Sequence, residues 1–548
     1  MPSTPTSKAQ VQAYRFVIRR MQSALIRRDP VMMHDPQRTH SRAMIVGACL
    51  AAVALAGFAV YGLLKPAPQL PGNDGIVMSK QSGQLFVLTK EKDGKRLLTP
   101  TFNLASARLL LLARQQQNQN GGGGGGGGSS QGGQQVQEVD DSQFSGQGIT
   151  VGRLTGIPDA PNTLPDGSNQ AAVGKWAVCD DYARDPDLPN QTQENKVSTT
   201  VLSGVDNLGT ELKADQGFLV QERQSHKTFL IYRTPSTANH PESDVVRAEV
   251  DLSQKEIANT FNGGSQDVTR VVSPGLINAI PAVKGLVAPS IPKVGSPSPG
   301  LPFSVGQAFK VQEASGQTRY FIAMDDGYQE VTETASVADV LRFKNTQETT
   351  QIPTIAPSQM NAAQPTKHPV DVGQFPKQKP NLLQEQNMPT MCLGWNPNTS
   401  DPDNPKEHTV LTVGTRLPIP QDAKPVKVGN PNADGERIDG FYMPAGKAAF
   451  IRSAQNAAQF NSGPQYLVSD RGIRYAIPSQ QIADALGLKD PVPAPESIVR
   501  LLSPGADLNT QAVQRTFDSL NLPANMGSYP SESADSSNAP ESASNGGG

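Results

Sequence analysis

Two stretches of the chain come close to sequence patterns that are used in catalysis. The first, Gly440-Phe-Tyr-Met-Pro-Ala-Gly-Lys-Ala448, approaches the phosphate-binding loop, in which backbone N–H groups surround a phosphate while Lys and Ser or Thr reach phosphate and Mg²⁺. It has one residue too many between its glycines and ends in Ala, which cannot ligate Mg²⁺. The second, Gly128-Ser-Ser-Gln-Gly132, has the spacing of a serine nucleophile turn but lies in a glycine run, not between a strand and a helix. We therefore expect no catalytic residues.

Metal, cofactor and nucleic-acid sites have no support in the residue pattern. The six histidines are His34, His40, His226, His240, His368 and His408. They never occur as H-x-x-x-H or beside paired cysteines, so we expect no metal site and no cofactor. No basic patch with interleaved aromatic residues follows residue 65, so we expect no nucleic-acid partner. Adjacent Asp pairs at 140–141, 180–181 and 325–326 are interpreted as solvated turns or strand ends.

Cysteine placement predicts one disulfide. Cys49 lies in an apolar stretch, and Cys179 and Cys392 are the other two cysteines of the chain. In an oxidising compartment these two can pair with each other, whereas two separately buried thiols are the alternative. Trp176 and Trp395, the two tryptophans, each lie three positions from one of these cysteines. We therefore predict a disulfide that packs beside two indole rings in one core.

Residues 43–64 form an apolar stretch of 22 residues without a charged side chain. At about 1.5 Å per residue, a helix of this length measures about 33 Å, enough to cross a bilayer core of about 30 Å. Residues 1–42 carry eight Lys or Arg against two Asp, a net charge of +6. A cleaved signal peptide is the alternative, but its apolar region runs only about 7–15 residues. We predict a retained anchor, with residues 1–42 in the cytoplasm and the rest exported, by the positive-inside rule.

Small residues line one side of this predicted membrane helix. They recur at the four-residue spacing that lets two membrane helices approach closely. We therefore predict packing against a partner span, with an ordinary Ala-rich span as the alternative. The predicted packing residues are Gly47, Ala48, Ala51, Ala52 and Ala56.

The leader contains a predicted amphipathic helix. Its apolar residues, from Tyr14 through Val17, Ile18 and Met21 to Leu25, recur at helical spacing with basic residues around them. Such a helix beside a membrane can lie on anionic lipid or dock onto a partner, whereas a passive topology signal is the alternative. We predict docking in the cytoplasm through Tyr14, Arg15, Arg19, Arg20, Arg27 and Arg28.

A short unit recurs along the rest of the chain: two β-strands joined by a turn, then a helix. Copies begin at Gln84, Thr228, Tyr320 and Tyr466, and three of them carry Asp ahead of Gly in the turn, which is a hairpin signal. Units of this size cannot bury a stable core alone. We therefore predict an α+β fold, in which a single N-terminal transmembrane helix precedes an elongated exported region. In that region, four β-hairpin and helix repeat modules surround a central, mostly-β domain with the disulfide.

The composition fits several domains joined by linkers. The chain has 548 residues, 36% of them hydrophobic and only 18% charged, with 50 Gly and 46 Pro. This size excludes a small disulfide-stapled scaffold, and the excess of Gly and Pro argues against a compact helical enzyme. The glycine run Gly121–Gly128 predicts a flexible insertion, and the polar residues 523–548 predict a disordered tail.

Several motifs resemble one known family. Tyr14-Arg-Phe-Val-Ile-Arg-Arg-Met21, Asn103-Leu-Ala-Ser-Ala-Arg-Leu109 and Trp176-Ala-Val-Cys-Asp180 resemble segments of EccB proteins. EccB is the single-pass membrane component of actinobacterial type VII (ESX) secretion systems. The resemblance extends from Ser7 to Leu522, and the Gly/Gln-rich insertion and the polar tail depart from it.

The resemblance implies a structural role. An EccB protein is expected to be a core subunit of the type VII translocon in the inner (plasma) membrane, to form its periplasmic part and to contribute to protein export. The implied partners are other EccB copies, EccC, EccD and EccE in a hexameric complex, and the mycosin protease MycP. Two alternatives stay open. One is an anchor that binds peptidoglycan, and the other is an ATP-hydrolysing component, since the family carries an ATPase label that these residues do not support.

Together these features predict an order of segments along the chain. They are a cytoplasmic leader (1–42), a transmembrane helix (43–64), module 1 (65–113), a Gly/Gln-rich flexible insertion (114–140), the first part of the central domain (141–225), module 2 (226–281), a Pro-rich linker (282–302), module 3 (303–345), a second Pro-rich linker (346–388), the second part of the central domain (389–460), module 4 (461–522) and a disordered tail (523–548).

Overall fold

The chain divides into two compact units, Met1–Leu70 and Pro71–Gly548. The structure, a computed structural model, describes residues 7–28, 36–64, 70–91, 94–120, 135–145, 148–165, 174–182, 197–234, 244–268, 270–345, 351–384, 388–401, 403–428, 436 and 438–517.

The first unit contains two helices, α1 (Lys8–Arg27) and α2 (Pro36–Leu64). Helix α1 begins with a capping box, in which the Gln10 N–H donates to Ser7 Oγ (3.4 Å) and the Ser7 N–H donates to Gln10 Oε1 (3.0 Å). Within α2, Arg42–Tyr61 is long and apolar enough to cross a membrane, the one such helix among the described residues. The predicted apolar span, 43–64, therefore lies inside a single helix.

The second unit holds the remaining secondary structure. Its helices are α3 (Leu104–Asn120), α4 (Lys255–Asn262), α5 (Pro274–Ala279), α6 (Ser336–Asn345), α7 (Gln480–Leu486) and α8 (Glu496–Val499). Its strands are β1 (Gly75–Ser79), β2 (Leu85–Lys90), β3 (Arg96–Thr101), β4 (Gln137–Val139), β5 (Ile149–Val151), β6 (Leu154–Thr155), β7 (Trp176–Tyr182), β8 (Val197–Ser203), β9 (Thr210–Glu211), β10 (Gln216–Glu222), β11 (Thr228–Arg233), β12 (Val245–Glu249), β13 (Arg270–Val272), β14 (Ala308–Gln312), β15 (Thr318–Met324), β16 (Gly327–Glu330), β17 (Thr354–Ile355), β18 (Asn381–Leu382), β19 (Thr390–Asn398), β20 (Lys406–Gly414), β21 (Val426–Lys427), β22 (Gly440–Tyr442), β23 (Ala448–Ala454), β24 (Gln465–Ser469), β25 (Ile473–Ile477), β26 (Val492–Pro495), β27 (Ser503–Pro504) and β28 (Thr516–Phe517).

Four sheets of this unit share one connectivity. In each, three consecutive antiparallel strands are followed by a helix and then by a short strand that pairs in parallel with the first strand. A parallel return needs a crossover, which the helix supplies. The first to fourth sheets are built on β1-β2-β3-α3-β4, β10-β11-β12-α4-β13, β14-β15-β16-α6-β17 and β23-β24-β25-α7-β26.

A fifth sheet, the central sheet, has the strand order β21-β22-β8-β7-β19-β20-β9. Its strands come from two stretches of chain, residues 176–211 and 390–442. The second and third sheets are therefore inserted between the two halves of the central sheet.

The four sheets of this shared connectivity have hydrophobic cores in common, in pairs. Helices α3 and α7 contact each other in a core that contains Leu109 and Leu486. Helices α4 and α6 contact each other in a core that contains Phe261 and Leu341. The first and fourth sheets therefore share one core, and the second and third sheets share another.

The predicted module bounds are wrong at their ends, although the hairpins and helices lie where they were predicted. The predicted modules 226–281 and 461–522 begin after β10 and β23, the first strands of their sheets. Helix α3 runs to Asn120 and β4 pairs with β1, both inside the predicted insertion 114–140. The last strand of each sheet pairs with the first across a long stretch of chain, which local periodicity does not encode. That the four sheets are copies of one module stays a prediction, as does their elongated arrangement.

The predicted Pro-rich linkers contribute to the core that contains α4 and α6. Leu286 and Ile291, in 282–302, are buried in it, and so is Phe375, in 346–388. Strand β17, also within 346–388, completes the third sheet. These segments are therefore packed parts of the fold and not spacers. Residues 121–134 and 523–548, predicted to be a flexible insertion and a disordered tail, lie outside the described residues.

Candidate functional site

The disulfide joins the two halves of the central sheet. Cys179 on β7 lies directly opposite Cys392 on β19, with their Cα atoms 4.0 Å apart, and the structure contains the predicted bond between them. Both cysteines are fully buried, in a small cluster with Ala177 and Leu202. The bond therefore fixes the pairing of two strands that are 213 residues apart in the chain.

The prediction that the two tryptophans pack beside this disulfide is wrong. Trp176 and Trp395 do lie directly opposite each other, on the same two strands as the cysteines. Successive side chains of a strand point to opposite faces, so residues three positions apart cannot share a face. Both indoles belong to a separate, larger core on the opposite face of the sheet. Trp395 Nε1 donates there to Glu407 Oε2 (3.0 Å).

The buried carboxylate of Asp180, which follows Cys179 in the chain, connects the central sheet with the second sheet. Asp180 is fully buried, so the interpretation of Asp180-Asp181 as a solvated pair is wrong for Asp180. Its carboxylate accepts hydrogen bonds from Thr199 Oγ1 (2.9 Å), Ser273 Oγ (2.7 Å) and the Ser273 N–H (2.7 Å). Burial raises the pKa of Asp180, against the opposing effects of the Ser273 bonds, the Arg270 charge and the Thr199 bond. Ser273 is also the N-cap of α5, so this carboxylate anchors that helix.

Arg270 completes this buried junction. Its guanidinium donates to three backbone carbonyls, those of Asp180 (3.0 Å), Met388 (3.1 Å) and Pro389 (2.6 Å). The arginine lies on β13 of the second sheet, whereas the carbonyls belong to β7 and to the chain entering β19. The junction therefore binds the inserted second sheet to the sheet that carries the disulfide. No pattern in the sequence indicated that this arginine would be buried.

The stretch that approaches a phosphate-binding loop does not form one. Gly440–Tyr442 is β22 and Ala448 begins β23, so the stretch is a strand, a turn and a strand, with no helix after it. The Gly446 N–H donates to Asp470 Oδ2 (3.3 Å). This backbone donor, which a bound phosphate would need, is therefore already bonded to a carboxylate. Gly128–Gly132 lies outside the described residues. Among the described residues, no group of His, Cys, Asp or Glu could hold a metal ion.

Helix α1 exposes the residues that were predicted to dock. Tyr14 is 68% exposed, and Arg15, Arg19 and Arg20 are exposed as well. Arg28 follows the helix in a left-handed conformation (φ 57°). The side chain of Arg27 lies outside the described residues. The apolar side of this helix is uncovered within the described part of the chain, and docking stays a prediction.

The row of small residues lies along an exposed side of α2. Gly47, Ala48, Ala51, Ala52 and Ala56 are all exposed. A methyl group added at Gly47 would meet nothing within 4 Å. This surface is therefore open to a second helix, and its packing against one stays a prediction.

The family model described as "Type VII secretion system ESX-1, transport TM domain B", EccB, matches residues 3–522. The chain belongs to the EccB family. The resemblance seen in the sequence is thereby confirmed, over almost the same residues.

Named members of the EccB family match along nearly the whole chain. "ESX-1 secretion system ATPase EccB1" of Mycolicibacterium smegmatis (strain MKD8) is 28% identical over 518 residues, covering 94% of this chain and 96% of that protein. "ESX-3 secretion system ATPase EccB3" of M. smegmatis (strain ATCC 700084 / mc(2)155) is 27% identical, covering 92% of this chain and 89% of that protein.

Solved structures show the same fold as this EccB-family chain. A chain of an intact ESX-5 inner membrane complex matches with a TM-score of 0.65 and 22% identity, covering 97% of this chain and 99% of that one. A chain of the EccB3 dimer from the ESX-3 core complex matches with a TM-score of 0.60 and 22% identity, covering 81% of this chain and all of that one. The mixed α+β fold is therefore shared beyond this chain.

Proposed function

We propose that this protein is a structural subunit of a type VII secretion complex in the inner membrane and contributes to protein export. The observation that carries the proposal is the match of the EccB family model to residues 3–522, which includes both the membrane helix and the sheets of the second unit. The solved relatives support it, since they are titled as parts of ESX inner membrane complexes.

The proposed topology is a single span with the N-terminus in the cytoplasm and the second unit on the periplasmic side. The net charge of +6 on residues 1–42 supports this orientation, because basic segments next to a span are retained in the cytoplasm. The buried disulfide supports it independently, since disulfides persist in exported proteins and are rare in the cytoplasm.

Assembly is proposed through both exposed helices of the first unit. The row of small residues on α2 suits contact with another membrane helix, and the exposed face of α1 suits docking in the cytoplasm. Other copies of this chain are proposed partners, and one solved relative is titled as a dimer. EccC, EccD, EccE and MycP belong to the proposal because the family resemblance implies them. A peptidoglycan contact of the four repeat modules is a weaker alternative.

The proposal does not include hydrolysis of ATP. The word ATPase stands in the names of the relatives. In this chain, the nearest approach to a phosphate loop is a turn whose Gly446 N–H already donates to the carboxylate of Asp470. A carboxylate there repels phosphate, so this turn favours a structural role.

Affinity purification in mild detergent tests the proposal. The full chain is tagged at its C-terminus and extracted, and the product is analysed by native gel and mass spectrometry. Recovery in a large complex with other secretion subunits is expected. Recovery as a lone monomer, with secretion intact in a deletion strain, would overturn the proposal. ATPase assays of the lone chain and of the complex then assign any hydrolysis to this subunit or to its partners.

A further inference from the structure

A cleft of about 410 Å³ lies where three sheets of the second unit meet. The second sheet lines it through Arg247, the central sheet through Trp395 and Glu407, and the segment that follows β26 of the fourth sheet through Glu496 and Arg500. Clefts of this size at boundaries between structural parts are common sites for small ligands. None of these five residues has a role in the proposed function, so the cleft is a separate feature of the molecule.

The charges that line the cleft are balanced. Arg247 and Arg500 are basic, Glu407 and Glu496 are acidic, and the other residues that line the cleft are uncharged. Two carboxylates in the same cleft disfavour a multiply charged anion such as phosphate. Two arginines equally disfavour a simple cation. The ligand that matches both pairs carries one charge of each sign.

The two arginines suit a carboxylate. Arg247 Nε donates to the carbonyl of Ile280 (3.2 Å), and its guanidinium lies 5.0 Å from the centre of the Phe229 ring, so this side chain is held in place. The pKa of Arg247 is lowered by burial, and the charge of Arg500 lowers it further while Glu249 opposes the shift. The positive charges of Arg247 and Arg500 therefore repel each other. A carboxylate bound to both relieves that repulsion and gains charge-assisted hydrogen bonds.

The two glutamates suit an ammonium group. Glu407 is fixed by the hydrogen bond from Trp395 Nε1 (3.0 Å), and Glu496 is the first residue of α8, one turn before Arg500. Burial raises the pKa of Glu407, the charge of Asp244 adds to this and the Trp395 bond opposes it. A positive group bound in the cleft would stabilise the ionised form of Glu407, which burial disfavours.

We propose that this cleft binds a small zwitterion, of the class of a free amino acid or a short peptide. Arg247 and Arg500 hold its carboxylate, and Glu407 and Glu496 hold its ammonium group. The inference does not depend on the proposed secretion role.

Tryptophan fluorescence of the full chain in detergent tests the proposal. Trp395 lines the cleft and Trp176 is the one other tryptophan of the sequence, so binding changes a signal with few sources. The probes are alanine, trialanine and N-acetyl-trialanine amide, which has no terminal charge. Saturable binding of alanine or trialanine is expected, with the blocked peptide at least about tenfold weaker, a difference of about 1.4 kcal/mol. A preference for alanine identifies a free amino acid as the ligand class, and a preference for trialanine identifies a peptide.

Matched variants separate the cleft from the rest of the surface. Arg500→Gln is expected to weaken binding at least about tenfold, whereas Arg416→Gln, which removes an exposed arginine outside the cleft, leaves it unchanged. Glu496→Gln is expected to abolish the preference for probes with a free amine over the blocked peptide. If Arg500→Gln melts at a lower temperature, so that its weaker binding reflects a less stable fold, Glu496→Gln is the variant that tests the proposal. Three outcomes overturn the proposal: no saturable signal up to about 20 mM probe, equal binding of the blocked peptide, or competition by inorganic phosphate as strong as that by trialanine.

Discussion

The two faces of the central sheet are stabilised by different means. On one face, Trp176 and Trp395 belong to a core that has 33 buried residues within the described part of the chain, and the second and fourth sheets also contribute to it. On the other face, Cys179 and Cys392 lie in a cluster with four buried residues in the same described part, bordered by partly buried ones such as Leu417. Apolar burial stabilises by about 25 cal/mol per Å², so packing is much stronger on the tryptophan face. The covalent crosslink lies on the face that packing stabilises least.

The tryptophan face also carries the buried polar junction. Asp180 follows Trp176 by four positions and therefore points to the same face, where it bonds to Thr199 and Ser273. Asp181 points to the disulfide face and accepts one bond from Thr390 Oγ1 (2.5 Å). The face with the large core thus also holds the groups that orient α5 and the inserted second sheet. Substitutions on the two faces test this difference directly.

The largest effect is expected from Trp176→Ala. Trp176 is 1% exposed, and its loss leaves a large cavity in the shared core, which lowers the free energy of unfolding by about 3–5 kcal/mol. Trp176→Phe is the control and should cost much less. It keeps an aromatic ring, and Trp176 Nε1 has no hydrogen-bond partner among the described residues. Chemical denaturation followed by circular dichroism measures both. If Trp176→Ala lowered the free energy of unfolding by less than removal of the disulfide does, the disulfide face would be the more strongly stabilised of the two.

Asp180→Ala is expected to lower the free energy of unfolding by about 3 kcal/mol. The variant leaves three buried donors, from Thr199 and Ser273, without their acceptor and weakens the N-cap of α5. Its neighbour offers a matched control on the other face, because Asp181→Ala removes the acceptor of one partly buried bond and should cost about 1 kcal/mol. Denaturation midpoints of the two variants give the comparison. Equal costs would show that the buried junction adds nothing to the tryptophan face.

Removal of the disulfide is expected to cost about 2–3 kcal/mol, less than the loss of Trp176. The double variant Cys179→Ala with Cys392→Ala frees a loop of 213 residues in the unfolded chain. Measured values usually fall below the full chain-entropy value for such a loop. Cys49→Ala, in α2, controls for the loss of a thiol elsewhere and should leave the melting of the second unit unchanged. A cost above that of Trp176→Ala would mean that the crosslink, and not packing, is the main support of the sheet.

The sequence predicts the membrane span and the hairpins because each depends on local information, namely an uncharged run of apolar residues and Asp ahead of Gly in a turn. The disulfide could be predicted although its cysteines lie 213 residues apart, because the predicted exported region has no other cysteine to pair with either. The short parallel strands were missed for the opposite reason. Strand β17 has two residues, and β27, also of two residues, pairs in parallel with β25 from beyond helices α7 and α8, so neither has a local pattern to reveal it.

The error over the tryptophans could have been avoided from the sequence. Trp176-Ala-Val-Cys179 lies within a predicted β domain, and strand alternation alone puts its two ends on opposite faces. The cleft could not have been predicted. Arg247, Trp395 and Arg500 come together only because three separate sheets meet, and no spacing in the chain encodes that meeting.

The smallest effect is expected from Glu407→Gln, and it concerns pH. Burial, assisted by the charge of Asp244, raises the pKa of Glu407, so its protonated form is the one that folding favours. Its contribution to stability is present below the ordinary glutamate pKa of about 4.3 and is lost as the pH rises through the raised value. Glutamine keeps an oxygen that can accept the Trp395 bond but cannot ionise. The variant should therefore match the native chain near pH 4 and melt higher at pH 7, by less than about 3 °C.

Melting curves in steps from pH 4 to pH 7 measure this difference, with Glu211→Gln on the exposed strand β9 as the control for removing one negative charge. The native protein and the disulfide-free variant should show the same pH dependence, because Glu407 acts on the tryptophan face through its bond to Trp395. If the native chain instead gains stability relative to Glu407→Gln as the pH rises, the folded protein favours the charged carboxylate. Ion pairing with the arginines of the cleft would then outweigh burial, and the tryptophan face would be stabilised by charge as well as by packing.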